Sequence, residues 1–300
     1  MATLTTIGGA SAVRGSPSAR RRFRPGKLPM WWVIPPALYL IVFFIFPLFD
    51  NALRSIHPAG AAAQWSLAYY VKLLSDAYYL NVIGQTLLLS VGVTAICIVL
   101  GYPAAYFLVR HSGRWAGLVI FLLIAPQLTS IIMRTFGWRV LFARLGLVNT
   151  ALLDLGLIDK PLPLLQGPTS VVIGLVHVFV PFMVLSIASV LQGIDRRLEE
   201  SARILGASKL QAFLRVTLPL SLDGIGTGSI LVFMLTNGSF VTLLLLGGGS
   251  VVTMPVLIYQ QFSLTQDIGL ASAMGNLLLA IAVGCLYLQL RLIKRRGVRA

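Results

Sequence analysis

Charge is scarce in this sequence, and acid is scarcest. Only 11% of the 300 residues are charged, and nine of them are carboxylates. General acid–base chemistry needs titratable groups that converge. The acids instead stand at Asp50, Asp76, Asp154, Asp159, Asp195, Glu199, Glu200, Asp223 and Asp267, at predicted helix ends or in loops. With no paired carboxylates and no Ser-His pattern, a polytopic membrane enzyme is disfavoured and no catalytic residue is assigned. The two cysteines, Cys97 and Cys285, lie inside apolar runs and read as small buried hydrophobes. The three histidines have no cysteine or carboxylate at ligand spacing, so no metal site is expected. Of these His177 alone interrupts an apolar run, and it reads as a neutral packing residue with a functional alternative. A G-x-x-x-x-G-K-[ST] loop is missing too. The triple glycine Gly247-Gly248-Gly249 has no lysine after it, so the chain itself is expected to bind no ATP and no other cofactor.

Apolar sequence is what remains. Hydrophobic residues make up 57% of the chain, and the mean hydropathy is +0.87, outside the range of soluble proteins. Six uncharged runs, 30–49, 82–109, 115–133, 170–192, 224–246 and 268–290, approach or exceed the ~20 residues that cross a bilayer as a helix. None alternates with period two, which excludes a β-barrel, so the expected fold is all-α with six transmembrane helices. Prolines inside the runs predict kinks. The stretch 145–168 is too interrupted by Asn, Asp, Lys and Pro to span and is expected to form short outer helices. The segment 254–262 suggests another short helix after a glycine loop.

Net charge is +15, which in a soluble protein suggests nucleic acid. Here the placement of the basic residues decides otherwise. Residues 1–29 hold six Lys and Arg and no acid, and the C-terminal end holds five. The positive-inside rule puts both termini in the cytoplasm, together with the turn from Arg110 to Arg114 and the passage 195–219. The Arg20-Arg21-Arg22-Phe23 stretch looks like a twin-arginine signal, but five more spans follow the first, and the tail reads as a disordered basic anchor. The expected division is a tail over 1–29, a six-helix domain over 30–293 with a cytoplasmic loop over 193–221, and a tail over 294–300.

That loop carries the sharpest pattern. Asp195 suits an N-cap, and Glu199 and Glu200 favour the helix start. Leu198, Ala202 and Leu205 give one apolar side, and Gly206 suits a left-handed C′ position. Ser208 to Gln211 is a capping box for a second helix, closed by Pro219. Glu200-Ser201-Ala202, three residues, Gly206, nine residues, then Val216-Thr217-Leu218-Pro219 resembles the EAA motif of ABC-importer permeases, with Ser201 and Val216 as mild departures. PPALYLIVFFIFPL, MRTFGW, GLVNTALLDLGLID and VIGLVHVFVPFMVL resemble the spermidine/putrescine-type permeases over nearly all of the chain after the tail.

The resemblance implies a type I ABC-importer permease fold in the bacterial inner membrane, in contact with membrane lipid and not with nucleic acid. Its implied partners are a second, similar permease, two ATPase subunits that hold ATP and Mg, and a periplasmic solute-binding protein. The loop then couples to the ATPase. Glu199, Glu200, Arg203 and Lys209 are expected as polar rim contacts, Ala202, Leu205 and Leu210 as the apolar centre, with Gly206 the elbow and Pro219 the fixed end. A secondary transporter is the alternative, disfavoured by the lack of intramembrane charge. Gln85, Thr86, Asn237, Ser239 and Thr242 are candidate path-lining residues, and Arg134 and Trp138 candidate outer-gate residues or interfacial anchors. Polyamine-type permeases carry G-D-F-V-T followed by proline in the fifth span. Here the stretch reads Gly238-Ser239-Phe240-Val241-Thr242-Leu243. Without a carboxylate in mid-span, the expected solute is less cationic than a polyamine.

Overall fold

The computed structural model describes residues 34–57 and 65–297, with the side chains of 292–297 excepted. The basic tail over 1–29 and the start of the first predicted span lie outside the described residues. Among those described, every regular element is helical.

The chain divides into two units, residues 1–48 and 49–300. The described part of the first is the body of helix α1 (Ile34–Arg54), long and apolar enough to cross a membrane and with no buried residue before the boundary. Pro47 has no amide to offer the turn before it, and the helix widens there into a π turn, Ile41–Ile45.

The second unit begins with the end of α1 and a short helix, α2 (Ala68–Ser75). Three further helices are long enough to span: α3 (Ala77–Arg110), α7 (Pro168–Gly193) and α13 (Ile268–Gly297). Two predicted spans are bent pairs. Helix α4 (Gly113–Leu128) turns by 95° into α5 (Ile131–Leu141), and α9 (Lys209–Leu220) turns by 60° into α10 (Leu222–Asn237). The predicted run 115–133 is therefore not one straight helix. Pro126 lacks an amide, and Thr129 and Ser130 adopt extended backbone. The run 224–246 is also divided, because α10 ends at Asn237 and a separate turn-and-a-half, α11 (Val241–Leu246), follows Gly238 and Ser239. The last helix continues to Gly297, past the expected boundary at 293.

Outside the spans, α6 (Leu147–Asp154) is the one helix of the 145–168 stretch. Buried Asn149 holds it by donating to the carbonyls of Ala143 and Leu162, both at 3.1 Å, and accepting from the Leu162 amide at 2.9 Å. Helix α8 (Arg196–Ile204) lies in the 195–219 passage, and α12 (Met254–Gln260) follows the glycine loop.

Helices α3, α7 and α10 pack against one another and form the main core, with Val93, Cys97, Leu175, Met183, Ile187 and Val232 buried between them. Glycines make this approach close. A methyl group on Gly228 would stand 2.6 Å from Met183 Sδ, and one on Gly224 3.1 Å from the Ile187 Cα. Small residues four apart thus let α10 lie on α7 backbone to backbone. A second core joins α2, α3, α12 and α13 through Leu73, Val82, Met254, Leu257 and Met274.

Candidate functional site

The passage 195–219 folds as its capping residues dictate. Asp195 accepts from the Arg197 amide at 2.9 Å and starts α8. The helix ends at Gly206, whose φ of +94° is reached at little cost only by glycine. There the amide of Gly206 bonds the Arg203 carbonyl and that of Ala207 the Ala202 carbonyl, both at 3.0 Å. This is a Schellman closure, which satisfies two carbonyls that a bare helix end leaves open. Ser208 and Gln211 form the reciprocal capping box, at 3.2 and 3.0 Å. Before Pro219, α9 widens into a π turn, Phe213–Thr217, as α1 does before Pro47.

The two sides of this elbow differ in chemistry. Glu199 is turned inward, its side chain 16% exposed, which corrects its assignment as a polar rim contact. Its Oε1 accepts from Thr217 Oγ1 at 2.7 Å and faces Arg110 Nη2 at 3.3 Å, and its Oε2 accepts from the Tyr106 hydroxyl at 3.2 Å. Arg110, 8% exposed, also donates from Nη2 to the Ile194 carbonyl at 3.2 Å, the end of α7, while its Nε is buried without a partner. Phe213 stands edge-on to Tyr106 and Tyr102, and the Tyr102 hydroxyl lies 2.7 Å from Ser221 Oγ. A buried ion pair with further hydrogen bonds thus joins α3, the end of α7, α8 and α9.

The outer side is apolar and uncovered. Ile204 and Leu205 are 86% and 88% exposed, and Leu198, Leu210 and Leu214 are also exposed, while Ala202 is half-buried. Among the described residues Glu200 is paired with Arg196 alone, at 3.8 Å, on the open surface. Arg203 and Lys209 are exposed and have no acidic partner among the described residues. Sequence reading found the elbow but gave no role to Arg110 and Tyr106, which stand elsewhere in the chain, or to Thr217, which occupies a variable position of the motif. Ile204 falls within the motif's variable positions.

The remaining candidates separate. Gln85 is exposed on α3, in a groove with Gly92, Ile96, Val172 and Val251. Thr86 is buried and bonded on both sides, donating to the Val82 carbonyl at 2.7 Å and accepting from the Met254 amide at 2.9 Å. It caps α12, so its hydroxyl is not free to meet a solute. Asn237 and Thr242 flank the break after α10. Both are buried, and among the described residues neither Asn237 Oδ1 nor Thr242 Oγ1 has a hydrogen-bond partner. Ser239, between them, is half-buried. Arg134 and Trp138 do not end a straight third span. They lie on α5 beyond the 95° bend, where Arg134 Nη1 donates to the Pro126 carbonyl at 2.7 Å and to Gln127 Oε1 at 3.3 Å. Gln127 in turn donates to the Val178 carbonyl of α7. Trp138 meets His177 edge-on, with ring centroids 5.4 Å apart. Arg134 thus ties the two sides of the bend together, while Trp138 packs against α7. Among the described residues, no group of His, Cys, Asp or Glu could hold a metal.

Known proteins resemble this chain in sequence and in fold. The family described as "Binding-protein-dependent transport system inner membrane component" matches residues 6–298. The spermidine/putrescine transport system permease protein PotB of Escherichia coli K12 is 37% identical over 224 residues, 75% of this chain and 81% of the relative. The putative 2-aminoethylphosphonate transport system permease protein PhnU of Salmonella paratyphi A is 26% identical over 91% of this chain and 94% of its own. A crystal structure of a bacterial alginate ABC transporter in complex with an alginate-pentasaccharide-bound periplasmic protein has a chain with TM-score 0.75. That chain is 18% identical, over 88% of this chain and 93% of its own, and it shows the same fold. This chain belongs to the binding-protein-dependent transport system inner membrane component family and is a multi-pass ABC-importer permease of the inner membrane.

Proposed function

We propose that this permease receives the movement of a separate ATPase through the elbow between α8 and α9, and that it forms half of the translocation path with a second, similar permease. The observation that carries this reading is the two-sidedness of the elbow. Ile204, Leu205 and Leu210 offer an uncovered apolar surface, and exposed Arg203 and Lys209 line the polar cleft with Glu199 and Glu200, a suitable centre and rim for a protein partner. The opposite side is fixed to the span ends through Glu199. Capped short helices on a buried anchor can carry a rigid-body displacement without melting. ATP and Mg then belong to the partner, the elbow and both termini face the cytoplasm, and a periplasmic binding protein delivers the solute. Purification of the chain from membranes with an ATP-hydrolysing subunit tests this. Transport that continues without ATP, driven by an ion gradient, contradicts it and favours a secondary carrier.

The solute of this reading is a small organic molecule less cationic than spermidine. Relatives named for spermidine/putrescine and for 2-aminoethylphosphonate place amine-bearing solutes of different net charge within reach of one permease type. In this chain, mid-span polarity near the break consists of the neutral side chains Asn237, Ser239 and Thr242. A desolvated polycation needs opposing charge. Micromolar binding of spermidine by the cognate periplasmic protein, together with its uptake, overturns this assignment.

A further inference from the structure

The ion pair between Glu199 and Arg110 differs in kind from the others. The pairs Asp50–Arg54 and Arg196–Glu200 are exposed and lie one helical turn apart. Such pairs contribute little. Glu199 and Arg110 are both largely buried and belong to α8 and α3, elements far apart in sequence. A buried carboxylate is tolerated only when its oxygens are satisfied. Here they are, by Arg110, Thr217 and Tyr106. Arg110 extends the same joint to the Ile194 carbonyl. Three elements, α3, α8 and α9, therefore meet on one carboxylate, and Arg110 ties the end of α7 to them.

We infer that Glu199 is the pivot through which a displacement of α8 reaches the spans, with Arg110, Tyr106 and Thr217 as its socket. This rests on the coupling reading of the elbow and goes beyond the motif, because Glu199 precedes the matched Glu200 and is turned toward α3 and α9. Apolar surfaces slide past one another at little cost, whereas a charge-assisted hydrogen-bond set holds direction and distance. A pull on α8 through this joint moves the cytoplasmic end of α3 and the π turn of α9 together. Glu199 thus acts in this reading as a positioning residue, through Arg110, Tyr106 and Thr217.

The test uses the whole assembly, purified with its ATPase and sister permease, placed in lipid vesicles and given the binding protein. The quantity read is solute carried per ATP hydrolysed, a ratio that a mere loss of folded protein does not change. Glu199→Gln and Arg110→Gln are each expected to lower the ratio about tenfold, the size expected when one hydrogen bond to a charged group is lost. The exchange variant Glu199→Arg/Arg110→Glu is expected to recover part of it. Should the single variants fail to assemble, Tyr106→Phe/Thr217→Val carries the decision. It keeps the charge pair and the volume but removes two hydrogen bonds to the charged Glu199, and is expected to lower the ratio at least about tenfold. An unchanged ratio in the variants that assemble overturns the pivot. Absence of any ATPase in the wild-type preparation is a different result, and it overturns the coupling reading together with the inference built on it.

Discussion

The elbow at 195–219 and the break at 238–240 both interrupt helices, but they treat their polar groups in opposite ways. At the elbow the helix ends are closed by Asp195, by the Schellman turn at Gly206 and by the Ser208–Gln211 box, and the buried carboxylate has several donors. At the break, Asn237 Oδ1 and Thr242 Oγ1 are buried with none. An unpaired buried oxygen costs roughly 1–3 kcal/mol. Near-complete pairing, with Arg110 Nε the exception in the joint, suits an element that must move as a rigid piece. Unmet acceptors suit an element whose partners come from outside the chain, as a solute or a neighbouring permease would.

The difference is sharpest at Gly206. Gly206→Val forces a β-branched residue to φ +94°, a strain of at least about 1–2 kcal/mol. Uptake is expected to fall more than about tenfold while membrane insertion persists. Gly206→Asn, which tolerates the left-handed region, is expected to retain most activity. Equal loss in both variants removes backbone geometry as the cause.

Two threonines set the comparison at one-atom resolution. Thr86→Val deletes a hydroxyl that serves both the Val82 carbonyl and the Met254 amide, and is expected to destabilise the purified protein by about 1–3 kcal/mol. Thr242→Val removes an oxygen that has no partner, so thermal stability in detergent should stay within about 0.5 kcal/mol of wild type or rise, while uptake falls. A stability loss at Thr242 as large as that at Thr86 would show that its hydroxyl is satisfied after all.

Glu200→Lys has the smallest expected effect. It breaks an exposed pair with Arg196 worth under about 1 kcal/mol, so folding is unaffected. Association with the ATPase should weaken a few-fold, most clearly at low salt. Association unchanged at every salt concentration excludes Glu200 from the contact.

What could be read in advance follows the range of the forces involved. Caps and the left-handed glycine act within four or five residues, so Asp195, Gly206 and the Ser208 box were legible and stand where expected. The socket was not. Tyr106 and Glu199 are 93 positions apart, and no local pattern marks a long-range hydrogen bond. Hydropathy located the spans but was blind to their bends, because a run of apolar residues scores alike whether straight or folded. Proline did not decide either. Pro103 and Pro181 sit inside unbroken helices, whereas Pro126 comes just before a 95° turn. Polar residues in the spans looked alike for the same reason, and only contacts distinguish Thr86, a satisfied cap, from Thr242.

The elbow's role can be settled by a cross-link from Leu205, which is 88% exposed and at the centre of the uncovered surface. Leu205→Cys, in a Cys97→Ala/Cys285→Ala background and in native membranes, is predicted to yield with a thiol-to-amine reagent an adduct of this chain with an ATP-hydrolysing subunit, diminished when nucleotide is withheld. Labelling of the same cysteine by a membrane-impermeant maleimide added outside the inner membrane, with no such adduct, would place the elbow on the wrong side and contradict the coupling role.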